Sequence, residues 1–570
     1  MIDAVTFQVI QSRLSGIVRE MQDSIFRTGY STIIRESQDA SCMLLDREGN
    51  VVGEHVVLPL HVAALPEVVR AVRAAFDDIT PGDAFITNHP YLAGVTHSMD
   101  MAVATPVFHD GELIAFCASI AHKSDLGGVV PGTSYGSARE LFQEGIQYPP
   151  IRYASAGVVQ RDIEAIVRAN SRTPDLVIGD IRGQIGVARL GERRLGDVIA
   201  RYGIDALRET FASVATVAEQ RIRAILATWP DGVHEAESFV DTDGVTPDSK
   251  VRYHVRIEKR GDRIAFDFTG CDDQRGGPVN ISPSLARGCC YYALIAMIDP
   301  SLPNNAGVAR VVETTFRKGS VLDPHFPAPC CTYMATCTAI VEAMLVALSD
   351  FVPARRMAGN GGVGGISITG QRAGGGNFVQ YEPIGSAYGG RATSDGVSGI
   401  AVLLSNTRAA SIEILESEYP TRVRRFELVR DSGGPGRYRG GLSPRRVWEV
   451  LVDDAQLTCR GGKHDIPASG AEGGEPGALG SLTLNAGTPA SRPLASRFSG
   501  VRLMRGDRLT LEKAGGGGLG DPRTRPFDEV LDDVLDGYVS VDAAIARYGV
   551  DRERLSAALE RIDGIAEPAR

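Results

Sequence analysis

Six of the ten histidines in this 570-residue chain, at positions 55, 61, 89, 97, 109 and 122, fall within 68 residues, where even scatter would put one or two. Inside that stretch Thr96-His97-Ser98-Met99-Asp100 precedes one apolar run, 101–108, and Ala121-His122-Lys123-Ser124-Asp125 closes a second, 112–121. His109-Asp110-Gly111 lies between them, and Asp-Gly between apolar runs is a strong hairpin signal. A two-residue turn sets His122 opposite Met99, and a three-residue loop sets it opposite Ser98. Either register brings His97, Asp100 and His122 together. Two imidazoles and a carboxylate suit Zn²⁺, Fe²⁺ or Mn²⁺ with positions left open for water or substrate. Such an ion acidifies its water or polarises a carbonyl. The other use of these residues is to cap strand ends or hydrogen-bond in a polar crevice.

Three further motifs carry less. Gly132-Thr133-Ser134-Tyr135-Gly136 satisfies the G-x-S-x-G elbow of serine hydrolases, but Gly127-Gly128-Val129-Val130-Pro131 before it makes a poor central strand, so a plain turn is expected. Gly359-Asn360-Gly361-Gly362-Val363-Gly364 satisfies G-x-G-x-x-G, yet the following 365–370 reads as extended, without the helix N-terminus that would bind phosphate. Gly461-Gly462-Lys463 resembles the end of a P-loop, with His464 where the metal-binding Ser or Thr should stand.

The elements that must position the histidines alternate in type. Phe7, Ile10, Leu14, Ile17, Met21 and Ile25 give residues 4–28 a helical stripe; Ser41 to Val57 reads as two extended runs around Asp46-Arg47-Glu48-Gly49, and 66–76 as a helix. Helical patterns follow at 160–169 and 184–229, broken near Tyr202-Gly203. Strands are expected at 251–268 and a helix at 338–348. From 359 to 520 short strands alternate with glycine clusters, and Ser540 and Asp551 cap two helices near the end. The fold class expected is α+β, a multi-domain mixed α/β chain. It divides into an N-terminal region with the metal or catalytic site (1–230), a mixed middle region (231–355), a Gly-rich β-rich region (356–525) and a C-terminal helical tail (526–570).

Composition narrows the function. Hydrophobic and charged contents of 43% and 23% are those of a globular protein, and the net charge of −10 is the wrong field for a phosphate backbone, which sets nucleic acid aside. Apolar runs are shorter than the ~20 residues of a membrane span. The start, Met1-Ile2-Asp3, does not read as a secretory signal. Nine cysteines without C-x-x-C spacing fit a reducing cytoplasm.

The ordered motifs resemble the hydantoinase B/oxoprolinase family, which includes N-methylhydantoinase B and the acetone carboxylase large subunit. The resemblance rests on Asn88-His89-Pro90-Tyr91 with Gly94, Thr96-His97 and Asp100, then His122 and Asp125-Leu126-Gly127-Gly128. It continues through 138–145 with Pro149-Pro150, Asp267-Phe268-Thr269-Gly270, Gly277-Pro278-Val279-Asn280, Asn406-Thr407-Arg408, Glu413 with Glu416, and Tyr419-Pro420. Asp431-Ser432-Gly433-Gly434, Arg439-Gly440-Gly441 and Gly515-Gly516-Gly517-Gly518 with Gly520-Asp521-Pro522 complete it.

What the resemblance implies is a metal-binding subunit of an ATP-dependent hydrolase of hydantoins, lactams or 5-oxoproline. A metal-activated water would attack a carbonyl phosphorylated on a partner, an ATP-using subunit of hydantoinase A type that carries ATP and Mg²⁺. A hetero-oligomer follows from that partnership. The resemblance marks His97, Asp100 and His122 as metal ligands and adds Asp39, whose alternative use is a local turn bond. By position in family-like motifs Asp125 or Glu144 would be general base and His61 would orient substrate; Glu144 is as well read as a helix-surface or capping carboxylate. Two departures stand out. His89 replaces the Asp of an Asn-Asp-Pro pattern, with an extra residue before His97, and would alter specificity or support a ligand. Lys123 replaces a second His, and reads as a solvated surface side chain or as a cation for an anionic intermediate. Other functions within reach are a subunit of an ATP-dependent ketone carboxylase and a noncatalytic scaffold of the ATPase.

Overall fold

The computed structural model describes residues 2–55, 58–246 and 249–566; Val56 and Val57, the end of the second extended run, lie outside the described residues. Residues 40–159 form one seven-stranded antiparallel sheet: β1 (Ala40–Asp46), β2 (Val51–Glu54), β3 (Ala84–Thr87), β4 (Asp100–His109), β5 (Glu112–His122), β6 (Ile151–Ser155) and β7 (Val158–Val159), in the order β2-β1-β5-β4-β3-β6-β7. The N-terminal stripe is a helix, Ala4–Thr28, capped by the Asp3 carboxylate on the Val5 and Thr6 amides at 3.0 Å.

Both faces of this sheet are covered, which is why β4 and β5 are buried almost throughout instead of alternating. Residue parity tells the faces apart. Cys117 and Ala121 of β5, with Met101 and Val103 of β4, pack toward the Ala4–Thr28 and Pro174–Tyr202 helices. Phe116, Ala118 and Ile120 of β5, with Ala102 and Ala104 of β4 and Met43 and Leu45 of β1, pack toward the Ala64–Ala75 helix. Asp100 and His122 share the parity of the second set and Lys123 that of the first. The Gly203 break, at φ 85°, separates Pro174–Tyr202 from Ile204–Leu226.

The β4–β5 hairpin turns at Asp110-Gly111, with His109 paired to Glu112, as expected for the two-residue turn. A register shift between Val107 and Phe108 then adds one residue to β5, so His122 stands directly opposite Asp100, not Met99 or Ser98. A bulge leaves no mark in hydrophobic alternation when both faces are buried.

A second sheet joins Gly232–Val240, Val251–Arg260, Arg263–Asp267 and Val312–Thr315, and packs under the helices Pro283–Ile298 and Tyr333–Ser349. In the Gly-rich region, Asn377–Pro383, Gly365–Gln371, Ala455–Arg460 and Arg497–Leu503 form a four-stranded sheet against a five-stranded one, with Trp448 fully buried in their shared core. Residues 365–371 are strand, as the extended reading required. Ser540 and Asp551 cap Val541–Ala546 and Arg552–Ala566, their side chains accepting from the amides of Ala543 and Arg554.

The Gly515–Gly518 run explains part of the glycine excess. Its four amides donate in turn to the carbonyls of Ala478, Gly441, Gly359 and Glu475, at 2.9–3.0 Å, so the run threads between several backbones. A Cβ on each glycine would overlap a backbone carbonyl, of Ser432, Tyr388, Ser469 and Pro435 respectively. Close backbone approach, not turn formation, demands glycine there. Gly516→Ala is expected to lower the melting temperature by several degrees, from an overpacking cost of about 1–3 kcal/mol or more. Gly374→Ala, with nothing within 4 Å of its added Cβ, leaves melting unchanged in the same assay.

Candidate metal centre

Register and parity place three ionisable side chains in a row at one end of the seven-stranded sheet. Asp100 opens β4 and His122 closes β5 opposite it. On the other side of β5, Ala40 pairs with Ala121, so Asp39 continues the register beside His122, whose amide donates to the Asp39 carbonyl at 3.2 Å. Gln38 just before it takes a left-handed conformation, φ 57°, that turns the chain into β1. His97 comes from the loop before β4. His61 comes from the short turn Pro59–His61 that leads into the Ala64–Ala75 helix on the same face.

The geometry gathers all five. His97 Nε2 lies 3.4 Å and His61 Nε2 3.6 Å from Asp100 Oδ2, which also accepts from the Thr96 hydroxyl. Asp39, His61 and Asp100 each present one ligand-type atom within 4.8 Å of the others. The rings of His97 and His122 are 5.4 Å apart. His61 is steadied through Nδ1 by the Ser41 hydroxyl at 3.0 Å; His97 packs on Tyr333 and His122 stacks on Tyr381. Burial, then the charge of Asp100, pushes the Asp39 carboxyl up to about 7. Burial opposes ionisation of Asp100 too, but the imidazoles of His97 and His61 outweigh it and hold the carboxyl well below its usual range. Burial also holds His122 far below the ordinary histidine value, in the neutral form that has a lone pair to give.

The donor set fits a divalent ion on its unmet hydrogen bonds. His61 Nε2, both ring nitrogens of His97 and of His122, and Asp100 Oδ1 are buried with no hydrogen-bond partner. Buried polar atoms left unpaired cost about 1–3 kcal/mol each, and imidazole and carboxylate are ligands of Zn²⁺, Mn²⁺ and Fe²⁺. The cavity beside them has about 60 Å³ of room for water-sized groups, several times the ~10–15 Å³ one water needs. Asp39, His97 and His122 line it from the end of the first sheet and the loops that lead into it, Cys331 to Ala335 from the second region, and Gly364, Gly365, Tyr381, Arg460 and Arg497 from the third.

The other candidates lie elsewhere. Asp125 is fully buried with both oxygens engaged: Oδ1 accepts from the Gly132 amide (2.8 Å) and Arg172 Nη1 (3.0 Å), Oδ2 from the Arg172 amide (2.6 Å). It ties a loop together and does not line the cavity. Glu144, in the turn Leu141–Glu144, accepts from the amides of Cys330 and Cys331 at 2.6 and 2.8 Å and is pushed up to about 8 by burial. It is neither at a helix surface nor in the cavity, but fixes the backbone that leads into Tyr333. His61, expected to orient substrate, stands in this cluster, its Nε2 3.6 Å from Asp100 Oδ2. His89 caps the short helix Pro90–Ala93, its Nδ1 accepting from the Tyr91 and Leu92 amides at 3.2 Å as an Asp side chain could, and its ring lies against Tyr91 and Phe326.

Lys123 is not a solvated side chain. It is fully buried on the opposite face of the sheet, its Nζ on Gln184 Oε1 at 2.5 Å, and burial lowers it to about 8. Ser134 is buried in an irregular segment, with its hydroxyl on Met99 Sδ at 2.8 Å. Tyr333, Tyr381, Arg460 and Arg497 went unread in the sequence; of these only Arg460, beside Gly461-Gly462-Lys463, stood next to a recognised motif.

The sequence model described as Hydantoinase B/oxoprolinase matches residues 3–522. A Pseudomonas sp. (strain NS671) protein, provisionally named as the B-type component of a D-/L-hydantoinase, is 31% identical over 566 residues, 96% of this chain and 95% of its own. The beta chain of the Pseudomonas jessenii caprolactamase is 28% identical over 563 residues, 96% of each chain. The solved ATP-dependent caprolactamase from Pseudomonas jessenii superposes with a TM-score of 0.88 at 25% identity, covering 98% of this chain and 99% of that one. The nucleotide-free acetone carboxylase superposes at 0.87 with 19% identity, over 100% and 84%, which shows a shared fold.

Metal analysis by inductively coupled plasma mass spectrometry is expected to find about one equivalent of Zn, Mn or Fe, lost in His97→Ala with Asp100→Ala. His89→Ala is expected to keep the metal and to lose about 0.5–2 kcal/mol of stability, the worth of a helix cap, read by denaturant unfolding.

Proposed function

The chain belongs to the hydantoinase B/oxoprolinase family, and from that premise we propose that it is the metal-holding subunit of an ATP-dependent enzyme that hydrolyses cyclic amides. One observation carries the reading: Asp39, His61, His97, Asp100 and His122 cluster at one end of the sheet with imidazole nitrogens buried and unpartnered, and Asp39, His97 and His122 line the adjoining cavity. Asp39, His97, Asp100 and His122 would hold the ion, with His61 as a further ligand. Bound there, it would supply Lewis acidity and a water acidic enough to ionise near neutral pH. The substrate class is taken from relatives named for hydantoin, caprolactam and, among proteins of which this chain spans about 40%, 5-oxoproline. Relatives named as single subunits of larger enzymes support a hetero-oligomer, here with an ATP-using partner.

The division of labour has a chemical reason. An unstrained amide carbon is a poor electrophile, and placing a phosphoryl group on its oxygen makes the carbon more electrophilic and the oxygen a better leaving group. This chain's residues then hold and shield the reacting end. The Thr96 hydroxyl and the imidazoles fix the Asp100 carboxylate, and Ser41 fixes His61. Tyr333 and Tyr381 set the planes of His97 and His122 and wall the cavity against bulk water. Asp125 and Glu144 act as positioning residues in this reading, through Arg172 and the Cys330-Cys331 backbone.

With its partner and ATP, the chain is expected to couple ADP release to ring opening of at least one of hydantoin, caprolactam and 5-oxoproline. Asp100→Ala is expected to cut turnover by at least about 100-fold, the upper end for loss of one supporting group of a metal site. Full activity of that variant would leave the chain a scaffold for the ATPase, and bicarbonate-dependent ATP turnover with a ketone would make it part of a carboxylase.

A further inference from the structure

The cavity has two cationic residues that the metal centre does not use. Arg460 ends the strand Ala455–Arg460, Arg497 begins Arg497–Leu503, and the two are direct cross-strand partners in that antiparallel pair. Opposite residues project from the same face, and both line the cavity with His97 and His122. Like charges directly opposite one another destabilise a sheet, and a buried charge is normally paired. Here neither guanidinium has a carboxylate within ion-pair distance among the described residues.

Arg497 is buried; its Nη2 reaches the Gly461 carbonyl at 3.4 Å, Nη1 bonds the Thr242 carbonyl, and Nε has no partner. Arg460 lies over the Tyr381 ring at 4.5 Å and its Nη2 is also buried and unpartnered. Behind them Lys513 is buried against Gly364 with no ion pair among the described residues, and burial lowers it to about 8. The carboxylates whose fields reach this group are Asp39, at the metal centre, and Asp241, which accepts from the His464 amide at 2.8 Å.

Two unneutralised guanidiniums facing one cavity are a complement to an oxyanion, since each presents a planar fork of donors. We propose that Arg460 and Arg497 form an oxyanion-binding subsite beside the metal centre, which takes either the phosphoryl group on an activated amide or the carboxylate of an acidic ring substrate. Those two sources rest on the cyclic-amide reading; the subsite itself does not. Tyr381 links the halves of the cavity, stacked on His122 by one face and overlain by Arg460. An anion on the forks would therefore lie next to the row of metal-ligating side chains. The cation that the sequence offered at Lys123 is supplied from the third region.

The test begins with isothermal titration of inorganic phosphate into the purified full chain, stripped of metal by chelation and again after reloading. Binding in both forms, weakened at least tenfold by Arg460→Gln and less by Arg460→Lys, is the expected result. Circular dichroism confirms that each variant is folded; Arg460 is chosen because Arg497 also holds two backbone carbonyls. Absence of phosphate binding by the wild type, or equal binding by Arg460→Gln, overturns the subsite. Metal content of the same samples is read separately, so loss of the metal reading and loss of the subsite are distinct results. With the partner and ATP, a fall in turnover for neutral lactam and acidic ring alike assigns the forks to the phosphoryl group. A raised KM confined to the acidic ring assigns them to its carboxylate, and no change for either overturns the proposal.

Discussion

Charged and polar side chains sit at the end of a sheet whose two faces are both covered, and the rest of the architecture answers to that constraint. Asp39, His122 and Asp100 share a face because successive strand residues alternate and because the β5 bulge brings His122 into line with Asp100. A slip of one residue would send His122 to the helix side, where Lys123 and Gln184 sit, and would bring Lys123 to the cavity. A register error thus exchanges a neutral imidazole for a cation. The long antiparallel pairing of β5 with β4 and β1 makes that slip costly, since Phe116, Ala118 and Ile120 would leave their core with it.

The cavity is completed from outside the sheet, and this is what the glycine-rich region is for. Its strands reach the histidine-bearing end of the first sheet and carry Tyr381, Arg460 and Arg497 to it. Gly364 and Gly365 line the cavity, and a Cβ on either would collide with its surroundings. Threading Gly515–Gly518 among neighbouring backbones holds that region with amide hydrogen bonds where side-chain packing has no room. Glu144 makes the corresponding junction with the middle region. Its carboxylate spans from the first sheet's loops to the Cys330-Cys331 amides, and two residues later Tyr333 meets His97.

Local signals carried the hairpin and its histidines. Asp110-Gly111 between apolar runs fixed the turn, and the pairing of its two ends followed from a count of residues. The bulge was hidden because β4 and β5 are buried on both faces, so no alternation marked the extra residue. Asp39 came from family resemblance alone, since a single carboxylate before a strand has no pattern of its own. His61 was visible as a histidine but not as a neighbour of Asp100, because it arrives by a turn that crosses from another element. Asp125 and Glu144 illustrate the opposite difficulty: a buried carboxylate in a recognised motif is as readily a clamp for backbone amides as a base, and only the positions of the amides decide. Tyr333, Tyr381, Arg460 and Arg497 come from regions hundreds of residues away, beyond any local period.

His89 and Lys123 show how departures from a family pattern are to be weighed. His89 caps a short helix as an Asp there could, because a neutral imidazole nitrogen can accept from helix N-terminal amides as a carboxylate does. Lys123 follows His122, yet neighbours along a strand face opposite ways, so sequence adjacency to that histidine places its side chain on the far face of the sheet. The charge that matters to an anion in the cavity is instead set by Arg460 and Arg497, more than three hundred residues further on. Proximity in such a site is a property of register and parity, and a residue's distance along the chain from a ligand is a poor measure of its part in the chemistry.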